Sequence, residues 1–203
     1  MVLRAGDSEA EVKKESQGKE SLRMPFDLQP ILKSELLELR PLRAEDFHGL
    51  YAVASDPLIW EQHPFSDRYQ AEVFKEFFRE ALESGGALIA IDAKDGQVIG
   101  SSRFHGYDEE KSEIEIGWTF LARSHWGGIY NRDMKRLMLR HAFGFIESVI
   151  FIVGAQNLRS QRAVEKLGAV RVGSRTDAGG RESFVYQITG ATSLANGLPV
   201  EDL

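Results

Sequence analysis

The chain has 203 residues, enough for one well-cored α/β domain but too few for two. Hydrophobic residues make up 42% and charged residues 28%, and the net charge of −6 argues against a nucleic-acid partner and suits a cationic acceptor. Cysteine is absent, which excludes disulfides, zinc thiolates and a cysteine nucleophile. His48, His63, His105, His125 and His141 lack ligand spacing, so no metal is expected. No stretch is apolar enough to cross a membrane, and the N-terminus lacks an apolar signal core. A cytoplasmic protein with no membrane partner is therefore expected.

Residues 1–30 are polar, with Asp7, Glu9, Glu11, Lys13, Lys14, Glu15, Lys19 and Glu20. Such a segment buries too little apolar surface to offset its ordering entropy, and a disordered or loosely docked arm is predicted. The rival reading is a partner-binding or dimer-swapped arm, which leaves a homodimer open. Residues 31–190 carry the patterned domain, and residues 191–203 form a weakly patterned tail.

Leu37 and Leu39 alternate with Glu38 and Arg40, which predicts a first strand. Phe47, Leu50, Tyr51 and Ala54 mark a helix face that Pro57 is expected to end. Phe74, Phe77, Phe78 and Ala81 repeat the spacing before Gly85-Gly86. Ala87–Ala93 reads as a strand, Asp95-Gly96 as a hairpin turn and Val98–His105 as the returning strand. In Glu113–Leu121, alternation places Glu113, Glu115 and Gly117 on one face, and Ile114, Ile116 and Trp118 on the other. A helix from Tyr130 to Glu147, a buried strand Val149–Val153, a helix capped by Asn157 and stopped by Gly168, and two strands around residues 177–180 complete the order. The predicted fold is α/β: a single mixed, mostly antiparallel sheet, helices on both faces and one parallel β-α-β crossover.

The informative stretch runs from Trp118 to Asn131. It joins a strand to a helix N-terminus through Gly127-Gly128, where unpaired N–H groups and the helix dipole suit a phosphate or pyrophosphate. Arg123, Arg132 and Arg136 add local positive charge. The stretch matches neither GxxxxGK[ST] nor GxGxxG.

The order of elements, the Arg-x-x-x-Gly-Gly loop at Arg123–Gly128, and the runs Asn157-Leu158-Arg159-Ser160 and Glu165-Lys166-Leu167-Gly168-Ala169 resemble the GNAT acetyltransferase superfamily. The likeness covers roughly residues 36–188 and is greatest to the branch with ribosomal-protein N-terminal acetyltransferases. The run from Trp126 to Leu139 is similar to a bacterial subgroup of that branch.

The resemblance implies that acetyl-CoA is the acyl donor and that the acceptor is a primary amine, either a small molecule or a protein N-terminus. It implies that the loop residues Arg123, Trp126, Gly127, Gly128, Ile129, Tyr130 and Asn131 bind pyrophosphate. The strand end at Trp118, Phe120 and Leu121 would pair with pantetheine, and Asn157 and Ser160 would lie near the thioester. Ile129 stands where the family usually has glycine, Asn131 where it has a small residue, and Val164 where many members carry a tyrosine acid.

Without a cysteine, direct attack in a ternary complex is the simplest route. Glu115 is the candidate base, with Glu113 and Glu61 as rivals, and its alternative is a solvated strand carboxylate. Ser160 is the candidate donor to the leaving sulfur, against a serine that bonds its own helix backbone. His105 reads as a structural histidine or a lining of the acceptor pocket, and Trp126 as a packing residue. A non-catalytic acyl-CoA-binding module is the alternative to an enzyme.

Overall fold

The computed structural model describes residues 26–191. All but the first residue of the predicted tail and most of the predicted arm lie outside these residues. Its strands are β1 (Leu32–Lys33), β2 (Leu37–Pro41), β3 (Ala87–Asp92), β4 (Val98–Asp108), β5 (Glu113–Leu121), β6 (Ser148–Gly154), β7 (Val170–Thr176) and β8 (Glu182–Thr189). Its helices are α1 (Phe47–Ala54), α2 (Pro57–Trp60), α3 (Ala71–Glu83), α4 (Ile129–Phe143) and α5 (Leu158–Glu165). The strands form one sheet in the order β1-β2-β3-β4-β5-β6-β8-β7. Only β5 and β6 pair in parallel, across the α4 crossover.

Each face of the sheet carries its own apolar cluster. On one face Met134, Leu137 and Met138 of α4 and Val164 of α5 pack on Ile114, Ile116 and Phe151. On the other, Leu50 and Ala54 of α1, Ile59 and Trp60 of α2, and Phe74, Phe77 and Phe78 of α3 pack on Ile89 and Phe120. The aromatic spacing in α3 therefore buries one helical face, as its period predicts. Gly85, with φ 64°, takes the left-handed conformation that ends the helix.

Several boundaries differ from the sequence expectation. Pro57 opens α2 rather than simply closing α1: Asp56 Oδ1 accepts from Leu58 N at 3.0 Å, and proline at a first helical position loses no hydrogen bond. Helix α4 stops at Phe143, four residues before the predicted Glu147, because Gly144 caps it and Phe145 and Ile146 N–H fold back onto Ala142 O. The face assignment of Trp118 is also corrected. Arg103 pairs with Gly117 and Ser101 with Phe120, so Trp118 and Thr119 both oppose Ser102. This β-bulge, with Trp118 at φ 51°, turns the Trp118 ring onto the α1–α3 face, the face of Glu115.

Phe26 packs into the core at 7% exposure, although the predicted domain starts at residue 31. Its ring meets Phe104, His141 and Phe145 edge-on and stacks on Tyr107. His141 Nε2 contacts Asp27 O at 2.7 Å, which ties the same segment to α4. Phe26→Ala should lower stability by about 3 kcal/mol, a fall in Tm of roughly 6–12 °C, measured by thermal unfolding. A shift under ~2 °C would show that Phe26 contributes no core packing.

Candidate acyl-CoA site

Strands β5 and β6 are joined by the pairs Glu113–Ser148, Ile114–Val149 and Glu115–Ile150, and pairing stops there. Both strands continue, β5 to Leu121 and β6 to Gly154. Beyond Glu115 a wedge opens between them, with backbone groups of both strands turned toward it and available to an extended ligand.

The loop from β5 to α4 lies at the wide end of this wedge. Asp92 Oδ2, at the end of β3, accepts from Tyr130 OH at 3.0 Å and meets His125 Nε2 at 3.2 Å. Trp126 Nε1 donates to Leu121 O at 2.9 Å. These contacts pin the loop on both sides of Gly127-Gly128, while the glycines stay exposed. Gly127 has φ 68°, and a side chain added there would point into open space, while a Cβ at Gly128 would meet only Trp126 O at 3.8 Å. The first-turn amides of α4 thus face outward with the positive end of the helix dipole. Ile129 is 47% exposed at the start of that turn, beside the half-buried Asn131.

The predicted cofactor residues divide by role. Gly127, Gly128, Ile129 and Asn131 offer backbone at an open surface. Tyr130 and Trp126 hold the loop in place, and Arg159 stacks on the Trp126 ring at 3.9 Å. Phe120 and Leu121 are core side chains, leaving only their backbone to a ligand. Arg123 is turned away, its Nε bonded to Asp56 Oδ2 at the start of α2. Arg132 is exposed and Arg136 half-buried on α4. Asn157 caps α5, its Oδ1 accepting from Ser160 N at 3.2 Å. Ser160 sits half-buried in that first turn, and among the described residues its hydroxyl has no hydrogen-bond partner.

Glu115 stands where pairing with β6 ends, and burial pushes its carboxyl up to about 7 against the pull of Arg175, Arg103 and Lys135. Such a carboxyl is half protonated near neutrality, as suits proton transfer. The rivals are otherwise occupied. Glu113 Oε2 accepts from Gln187 Nε2 at 3.2 Å, and Glu61 lies on the surface 3.8 Å from Arg159. His105 is exposed, edge-on to Trp118 at 5.0 Å. Val164 is buried in the core and supplies no proton.

Three charged residues of the site were not singled out from the sequence. Lys135 of α4 is 4% exposed, its Nζ 3.1 Å from Ser102 Oγ and bonded to Thr119 Oγ1 at the bulge. Burial pushes its ammonium down to about 7, and Glu115 pulls the other way. Lys135 lies three residues before Met138 and seven before Ala142, so a wider α4 stripe would have included it. Arg103 and Arg68, 5% and 9% exposed, lie on the α3 face. Arg103 was signalled by its place between Ser102 and Phe104 in a central strand, whereas nothing in the pattern marked Arg68.

The fold thus sets a parted parallel strand pair, an exposed glycine loop at a helix start and a buried carboxyl around one stretch of β5. Residues 37–170 match the family model described as "Acetyltransferase (GNAT) domain", and the chain belongs to that family. A protein from T. thermophilus described as an acetyltransferase is 26% identical, with a TM-score of 0.66 over 82% of this chain and 95% of that one. Mycobacterium smegmatis RimJ in complex with CoA-disulfide is 18% identical, with a TM-score of 0.60 over 83% and 93%. Spermidine N-acetyltransferase from Vibrio cholerae, in complex with CoA and spermine, is 16% identical, with a TM-score of 0.62 over 79% and 99%. No curated protein matches the sequence.

The buried lysine has a thermodynamic signature. Its folded value of about 7 lies below the ordinary 10.5, so the cost of burying the charge is full below pH 7. That cost is relieved as pH rises from 7 toward 10.5, because the folded state has released a proton the unfolded state still holds. In Lys135→Met, Ser102 and Thr119 keep their mutual 2.8 Å hydrogen bond. The variant should melt higher than wild type at pH 6, and the gap should shrink toward pH 10. Thermal unfolding across that range is the check, and a gap independent of pH would contradict the buried-charge assignment.

Proposed function

We propose that the protein transfers the acetyl group of acetyl-CoA to a primary amine by direct attack in a ternary complex. The observation that carries this reading is Glu115, a desolvated carboxylate at the point where β5 and β6 part. In this reading the pyrophosphate rests on the amides of Gly127 to Asn131. The pantetheine arm lies in the wedge and bonds the free edge of β5 from Trp118 to Leu121. The thioester then reaches the bulge near Glu115.

The amine nitrogen attacks the thioester carbonyl carbon, and Glu115 takes its proton directly or through a water. The tetrahedral intermediate collapses with cleavage of the C–S bond. The Ser160 hydroxyl donates to the departing sulfur, and the thiolate takes up a proton as CoA leaves. An alkylamine with a pKa near ~10 arrives as a cation, which is why a base is needed at neutral pH. Both small amines and protein N-termini fit this chemistry. In support, the RimJ and spermidine N-acetyltransferase structures each hold a CoA species on a similar fold.

Two measurements test the reading. Gly128→Asp keeps an N-cap residue but places a negative charge where the phosphates would sit. It should fold normally and lose the rise in Tm that acetyl-CoA gives wild type. Equal calorimetric affinity in both proteins would remove the loop assignment.

Glu115→Gln keeps size and removes the charge. Wild-type kcat/KM should fall as pH drops below about 7, where Glu115 protonates. The variant should lose that limb and be slower on the order of a hundredfold at pH 7.5. Raising the pH should restore part of its rate as more amine becomes neutral. Wild-type rates across the whole profile would exclude Glu115 as the base.

A further inference from the structure

Two buried guanidinium groups, Arg103 near Glu115 and Arg68 near Arg103, have no bonded anion among the described residues. Arg103, on β4, pairs in register with Gly117, and its guanidinium sits over the Trp118 ring at 4.6 Å and the Phe77 ring at 5.8 Å. Arg68, just before α3, lies over the same Phe77 ring at 4.4 Å and over Phe65 at 4.9 Å. Aromatic faces stabilise a guanidinium but accept none of its hydrogen bonds in the way a carboxylate does. Nε and Nη2 of Arg103 are fully enclosed and have no hydrogen-bond partner. Neither arginine forms an ion pair among the described residues. Glu80 acts on both only at a distance, as do Asp67 on Arg68 and Glu115 on Arg103, and the two like charges repel each other.

A third donor completes the cluster. Arg68 Nη1 lies 3.2 Å from His63 Nε2, but His63 Nδ1 already accepts from Phe65 N at 3.0 Å. A neutral imidazole whose Nδ1 accepts must carry its proton on Nε2. His63 is neutral, because burial and the adjacent Arg68 push it down to about 3. Nε2–H therefore cannot accept from Arg68, and two donors face each other. Arg103, Arg68 and His63 converge as donors with no acceptor among them, a costly arrangement that one buried oxyanion would satisfy.

We infer that Arg103 and Arg68, with His63, form a carboxylate-binding subsite for the acceptor, so that the preferred amine is a small amino carboxylate. The subsite deepens the acetyl-transfer reading above and rests on it. Arg103 and Glu115 project from neighbouring strands onto the same sheet face, so one end of the acceptor docks at the arginines while its amine faces the base. The arginines are nine-tenths buried or more, so an anion held between them would be shielded from solvent. A bidentate guanidinium matches the planar carboxylate. A purely cationic polyamine would meet like charge there.

The test uses the full chain and follows CoA release with α-amino and ω-amino acids, their carboxamides, short diamines and spermidine. Peptides with an acidic second residue form a further arm. Amino acids should exceed their own carboxamides in kcat/KM by on the order of tenfold or more. Arg103→Gln should raise KM for the amino acid about as much, remove the preference over the carboxamide, and leave acetyl-CoA affinity unchanged. Arg103→Lys should restore part of the preference. Preferred use of diamines or carboxamides would overturn the subsite while leaving acetyl transfer intact, and preferred use of acidic peptides would overturn the small-molecule class. If no amine is acetylated, the acetyl-transfer reading fails, and calorimetry with N-acetyl amino acids and CoA tests the subsite by itself. Binding of the N-acetyl amino acid that Arg103→Gln abolishes supports it, and binding unchanged by the variant overturns it. Thermal unfolding and acetyl-CoA binding show whether each variant is folded.

Discussion

The structure depends on a parallel pairing that ends early. After the Glu115–Ile150 pair, β5 and β6 stop bonding although both run on, which in an ordinary sheet would strand buried backbone groups. The separation persists because each strand is held from its other side, β5 by β4 and β6 by β8, and because α4 bridges both from one face. The bulge at Trp118 lies on the open stretch of β5 and swings side chains that strict alternation would have kept apart onto one face. Lys135 fills the other side of the bulge through Ser102 and Thr119. In the proposed reading, the amide-bearing pantetheine chain completes what the strands leave unpaired.

The electrostatics of this site run against those of the whole chain. Net charge is −6, yet the interior near Glu115 holds Arg103 and Lys135, with Arg68 buried next to Arg103. Composition describes mainly the solvated surface, so it suggested a cationic acceptor. In the inferred subsite, the buried residues suit an acceptor with a negative end and an amine at the other. Surface charge governs long-range approach, while buried, desolvated groups govern what is held.

Most of the fold was legible in the sequence because burial imposes period. The alternation of β5, the aromatic face of α3 and the continuous apolar run of β6 each matched the observed element. The glycine loop was legible because a strand, paired glycines and a helix start follow one another. Features that depend on tertiary context were not. The bulge at Trp118 is set by the register against β4, which alternation within one strand does not encode. Phe26 stands in a polar segment, and only its aromatic neighbours, distant in sequence, give it a place in the core. Arg123 reads as a phosphate ligand by its position before the glycines, but Asp56, far off in sequence, claims it. Arg68 and Lys135 are charged residues in polar-looking stretches, and burial alone gives them their significance.

The end of β6 touches the loop that carries His63 and Arg68. A Cβ on Gly154 would lie 2.7 Å from Pro64 Cγ, closer than atoms approach without something shifting. Gln62 accepts from Arg159 N at 3.1 Å, which ties the same loop to the start of α5. Position 154 therefore sets the spacing between the end of β6 and the loop that carries His63 and Arg68. Any residue larger than glycine would lift Pro64 and, with it, the segment that leads to His63 and Arg68. In the inferred reading, a single substitution there would reshape the acceptor subsite while every group proposed to meet the thioester stays in place.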